Sequence, residues 1–68
     1  MRRGIVKWFD DTKGYGYIES ENGEAIFVHF SNIAQERGFK TLIPGEIVEY
    51  EAILGEKGLK AIYVKQIS

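Results

Sequence analysis

The chain has 68 residues, a formal net charge of −1, one histidine and no cysteine. That length allows one small domain with a single core. Without cysteine there is no disulfide, thiolate metal site or thiol redox chemistry, and one histidine excludes His-cluster metal sites and most acid–base pairs that use two. The small net charge argues against phosphate binding driven by bulk charge, yet nine Lys and Arg beside ten Asp and Glu leave room for a local basic patch. No apolar run approaches a membrane span, and the N-terminus lacks the apolar region of a signal peptide. The expectation is a complete cytoplasmic protein with one domain over residues 1–68.

Eight glycines and one proline punctuate short segments rich in β-branched and aromatic residues, the pattern of an all-β domain. The first strand is expected over residues 3–9, followed by a turn at 10–14. The second covers 15–20. Asn22-Gly23 between apolar runs is a strong hairpin signal, and it leads into a third strand over 25–30. Ser31 is placed to cap one short helical turn, because Gly38 comes too soon for a longer helix. A long loop over 35–45 contains Phe39 and ends at the Pro44-Gly45 turn. The fourth strand is expected over 46–53, with Val48, Tyr50 and Ala52 facing in and Glu49 and Glu51 facing out. The fifth follows over 59–67, with Ile62 and Val64 assigned to the inner face. Five short antiparallel strands leave open edges unless they close, so a barrel of OB type is predicted: a three-stranded meander, a long crossover and a closing hairpin.

Successive side chains of a strand point to opposite faces. Ile18, Ile26 and Val28 therefore share one face of the second hairpin, and Tyr15, Tyr17, Phe27 and His29 share the other. Two readings of the ring-bearing face compete: it packs on a second sheet, or it stays open as a platform. A chain this short fills one core, and the aliphatic side suits it better. If Val6 is core, Lys7 and Phe9 join the rings on the outer face, with Lys13 beside them in the turn. By the same parity Trp8 and Phe30 point inward, unless a bulge or a strand end turns them out. Gly14 and Gly16 flank Tyr15 and leave the surroundings of the rings open.

Rings beside lysines suit single-stranded nucleic acid. Every base offers a π-face, so stacking tolerates any sequence and contributes about 1–3 kcal/mol per base. Lysines meet the phosphates, and a duplex hides the base faces. His29 has no partner for catalysis or metal binding and reads as a polar ring that stacks or hydrogen-bonds. Glu49 and Glu51 share a face as a glycosidase pair would, but a solvated outer face explains them better. Arg2, Arg3, Lys40 and Lys60 read as solubilising charges.

These segments resemble bacterial cold-shock proteins nearly end to end. Gly4-Ile5-Val6-Lys7-Trp8-Phe9 is similar to the family's opening strand. Lys13-Gly14-Tyr15-Gly16-Tyr17-Ile18 and Ile26-Phe27-Val28-His29-Phe30 resemble its two ribonucleoprotein motifs, and Gly38-Phe39-Lys40-Thr41-Leu42 resembles its connecting loop. The resemblance implies an OB-type barrel that binds single-stranded RNA and DNA, acts as an RNA chaperone and affects transcription and translation. No cofactor is expected, and a monomer is the default. It implies a binding surface of Lys7, Trp8, Phe9, Lys13, Tyr15, Tyr17, Phe27, His29, Phe30, Phe39 and Lys57, and it places Trp8 and Phe30 outward against the parity argument. Tyr15 and Tyr17 stand where the family usually has phenylalanine, Ala25 where an aspartate is common, and Asp10-Asp11 adds negative charge. A protein-interaction module using the same rings as a hot-spot patch is the alternative. A hydrolase fails on inventory, with no nucleophile–base pair.

Overall fold

The computed structural model describes residues 1–34 and 41–67. Five strands, β1 (Arg2–Asp10), β2 (Tyr15–Ser20), β3 (Ala25–His29), β4 (Ile47–Gly55) and β5 (Gly58–Gln66), close into a barrel in the order β1-β2-β3-β5-β4. β1–β2, β2–β3, β1–β4 and β4–β5 pair antiparallel, and the β3–β5 seam is closed by a parallel bridge from Phe27 to Lys60. A second parallel bridge, Ile33 to Val64, continues that seam beyond the end of β3. A single 3₁₀ turn, Phe30–Asn32, follows β3, and His29 rather than Ser31 is its cap. The expected loop around Phe39 falls on residues 35–40, outside the described residues.

The core follows from cross-strand register. Val6 lies opposite Ile18, and Ile18 opposite Ile26, so one aliphatic row crosses the meander. Val28, Val48, Tyr50, Ala61 and Val64 complete the lining, with Ile33 and Leu42 contributed by the connections. Burying each Val, Ile or Leu contributes roughly 1.5–3 kcal/mol, so this cluster is the main source of stability. Burial pushes the Tyr50 hydroxyl above its ordinary pKa of 10.0; Arg2 opposes that shift, and Glu24 and Glu21 reinforce it.

Two turns are built by side-chain acceptors. The Asp10 carboxylate accepts from the backbone N–H groups of Thr12 and Lys13, both at 2.9 Å, and Gly14 completes the turn with φ +80°. Ser20, buried at the end of β2, accepts through Oγ from the N–H of Asn22 (3.2 Å) and of Glu24 (3.0 Å). Gly23 supplies the positive φ that this Asn-Gly turn requires.

Alternation breaks twice. The β1–β2 register runs Val6 to Ile18 and then Trp8 to Tyr17, leaving Lys7 as an extra residue. The β4–β5 register runs Glu51 to Tyr63 and then Ala52 to Ala61, leaving Ile62 as the extra residue. Each is a β-bulge, which reverses side-chain parity beyond it. Ile62 is consequently 46% exposed, while Ala61 and Val64 are buried. The inward assignment of Ile62 is corrected, and that of Val64 stands.

Candidate nucleic-acid interface

The β1 bulge supplies the ring that strict alternation would hide. Beyond Lys7, Trp8 turns outward beside Tyr17 and is 44% exposed. Tyr17 in turn lies directly opposite Phe27, and Tyr15 opposite His29. Tyr17 and Phe27 are 40% and 46% exposed, so the face is open rather than covered by a second layer. The ring centroids of Trp8 and Tyr15 are 5.8 Å apart, as are those of Tyr15 and Phe27. These tilted contacts fall in the range preferred by aromatic pairs and fix the rings relative to one another.

Phe9 departs from its expected place. One residue past the bulge its parity has also reversed, and it is half-buried against the core. Phe30 is turned out by the end of β3: it opens the 3₁₀ turn, and its N–H donates to the Gly14 carbonyl at 2.9 Å. Its ring occupies the space a side chain on Gly14 would need, since a Cβ there would lie 2.7 Å from Phe30 Cδ1. Gly16 is closer still: a Cβ would fall 2.1 Å from the Trp8 carbonyl oxygen. The two glycines therefore do not leave open space around Tyr15. They let a ring and a bulged backbone approach β2 closely.

His29 stacks near Phe30, with centroids 4.6 Å apart. Its Nδ1 accepts from the Ser31 backbone N–H at 3.3 Å and lies 2.9 Å from Ser31 Oγ. A backbone N–H can only donate, so Nδ1 is the acceptor in this contact, which ties the ring to the 3₁₀ turn.

Lys7 and Lys13 are exposed at the margin of the rings. Among the described residues the only ion pair is Arg3 with Glu49, at 3.9 Å, so neither lysine is tied to a carboxylate. Asp10 and Asp11 are both engaged: Asp10 caps its own turn, and Asp11 accepts a long-range bond from the Thr41 hydroxyl. Lys57 sits in the exposed β4–β5 turn, where no strand register places it beside the rings. Phe39 lies outside the described residues. Lys60 reads from the sequence as a solubilising charge, yet the structure sets it beside the rings. Alternation along β5 gave no signal for it, and only the parallel bridge shows that it neighbours Phe27.

Comparison with known proteins agrees with this geometry. The family model described as "'Cold-shock' DNA-binding domain" matches residues 2–67. The chain belongs to the cold-shock domain family. It is thus a nucleic-acid-binding domain, of a family that is not an enzyme family. A "Cold shock-like protein" of Thermotoga maritima is 52% identical over 65 residues, covering 96% of this chain and 97% of the relative. "Cold shock protein CspB" of Bacillus caldolyticus is 49% identical over 67 residues, covering 98% of this chain and all of the relative. Among solved structures, one titled "drosophila Unr CSD456" superposes with a TM-score of 0.72 at 22% identity. It covers 98% of this chain, which spans 26% of that longer one. That likeness concerns the fold, the five-stranded OB barrel.

Proposed function

We propose that this cold-shock domain binds single-stranded RNA and DNA by stacking bases on Trp8, Tyr15, Tyr17, Phe27, His29 and Phe30, with Lys7 and Lys13 meeting the phosphates. The observation that carries the reading is the register Trp8–Tyr17–Phe27 across three adjacent strands, all three rings exposed. A row of exposed rings accepts the faces of unpaired bases, which a duplex keeps stacked on one another. Phe9 packs against the core instead. Phe39 and Lys57 extend the surface by family resemblance. Binding of this kind pulls weak secondary structure toward the unpaired state, since a ligand that binds only one state stabilises it. That is an RNA-chaperone activity, and through it the protein would act on transcription and translation, as a cytoplasmic monomer.

The test is Trp8 fluorescence during titration with oligothymidylate at two salt concentrations, with a duplex of matching length as control. The expected result is strong quenching by the single strand and none by the duplex. Loss of one stacked base is worth about 1–3 kcal/mol, so Phe27→Ala weakens binding roughly 5- to 150-fold. Each lysine–phosphate contact adds about 0.7 to the magnitude of the salt slope on a single strand, so Lys7→Ala lowers it by about that amount. Folded protein that binds no oligonucleotide by fluorescence or by an independent method would overturn the reading. The ring face would then be a protein-binding patch.

A further inference from the structure

The row of exposed side chains does not stop at Phe27. Phe27 on β3 is bridged to Lys60 on β5, and Lys60 lies opposite Ile53 on β4. The register Trp8–Tyr17–Phe27–Lys60–Ile53 thus crosses all five strands of the barrel. Every member is exposed, and Ile53, a large aliphatic on an outer face, is 46% exposed. β3 and β5 meet through one bridge between named strands, so Lys60 marks the corner where the meander gives way to the closing hairpin.

Two details make this corner more than a stray charge beside a stray isoleucine. The Lys60 stem runs along Gly55, where an added Cβ would lie 3.4 Å from Lys60 Cδ and 3.7 Å from Cε. The alkyl chain is thereby laid against the hairpin while its ammonium stays in solvent, a common arrangement for lysine. No carboxylate among the described residues comes within ion-pair distance of that ammonium. An unpaired cation flanked by a ring on one side and an aliphatic surface on the other repeats the chemistry of the ring face: an apolar surface for a base, a cation for a phosphate.

We propose that a bound single strand continues past Phe27 over this corner, with a phosphate at Lys60 and a further base against Ile53. The inference rests on the nucleic-acid reading above and deepens it. It adds a nucleotide subsite on the closing hairpin, continuous in register with the ring platform. Strand length therefore selects how much of the barrel is used. A short oligomer occupies the rings alone, and a longer one also occupies the corner.

The experiment is a length series of oligothymidylates, from about four to about twelve nucleotides, within the range of OB-fold site sizes. It is run on the unmodified chain, on Ile53→Ser, on Lys60→Gln and on the double variant. Both positions are exposed, and a urea midpoint confirms that each variant is folded. In the unmodified chain, affinity is expected to rise by a distinct step of about 5-fold or more once the oligomer outgrows the rings, the worth of one base contact. Ile53→Ser removes most of that step and leaves the shortest binders unchanged. Lys60→Gln lowers the magnitude of the salt slope by about 0.7 for the long oligomers only. A step of unchanged height in the double variant overturns the subsite, as does an equal loss at every length. Failure of the shortest oligomers to bind the unmodified chain is a different result, and it overturns the stacking reading itself.

Discussion

The two bulges of the barrel are the same backbone event put to different use. Each inserts one residue, and each leaves two consecutive exposed side chains between buried or half-buried ones: Lys7 and Trp8 on β1, Ile62 and Tyr63 on β5. On β1 the exposed pair is a cation and the largest ring in the chain, delivered beside Tyr17 at the centre of the platform. On β5 the pair faces outward opposite Glu51, and what the bulge secures is inward placement of both Ala61 and Val64. The first bulge is also sterically enforced. At position 16 only glycine leaves room for the Trp8 carbonyl, whereas among the described glycines none has Ile62 or Tyr63 as a nearest neighbour. A parity break can thus serve function or closure, and the side chains around it tell which.

The largest effect should come from refusing the first bulge its room. Gly16→Ala places a Cβ against backbone that has no soft neighbour to displace, and overpacking of that kind costs about 3 kcal/mol. Urea unfolding measures it, and a loss under about 1 kcal/mol would mean that the bulge relaxes easily. Gly55→Ala, in the hairpin that carries the second bulge, is the milder comparison, since its tightest contact would be 3.3 Å, to the Gly58 carbonyl oxygen. A change within about 0.5 kcal/mol is expected there. An intermediate test separates the roles of the first exposed pair. Lys7→Gln should leave stability within about 0.5 kcal/mol, because the side chain is exposed and unpaired, while reducing the salt dependence of oligonucleotide binding. The smallest effect belongs to the second bulge. Ile62→Thr removes apolar surface already in contact with water, so the urea midpoint should hardly move. A loss above about 1 kcal/mol would return Ile62 to the core, as alternation alone would have it.

Much of the barrel was legible because its signals are local. Asn22-Gly23 and the alternation of Ile18, Ile26 and Val28 located the second hairpin and its inner face, and β2 begins and ends where the sequence predicts. Val48 and Tyr50 followed from the same period-two argument. What could not be read was parity beyond a bulge. Trp8, Phe9 and Ile62 were misassigned by alternation for one reason: an inserted residue leaves no mark in the hydrophobic pattern of its own strand. Family resemblance restored Trp8 and Phe30 to the surface but kept Phe9 among the outward residues, where the structure half-buries it. Lys60 was illegible for a different reason. Its neighbour Phe27 is joined to it by parallel pairing across the whole crossover, and nothing local encodes that register.

The seam between β3 and β5 has a consequence for how the barrel opens. β1, β2 and β3 are held by antiparallel ladders between chain neighbours, whereas this seam is held by the Phe27–Lys60 bridge, the Ile33–Val64 bridge and the bond from Ala34 N–H to the Val64 carbonyl. A seam held by so few bonds opens more readily than a full ladder. Amide hydrogens along this seam should therefore exchange with solvent faster than those between β1 and β2. The ring-bearing meander would then keep its shape through openings that part the barrel on its other side, and Trp8, Tyr17 and Phe27 would hold their register while the closing hairpin breathes.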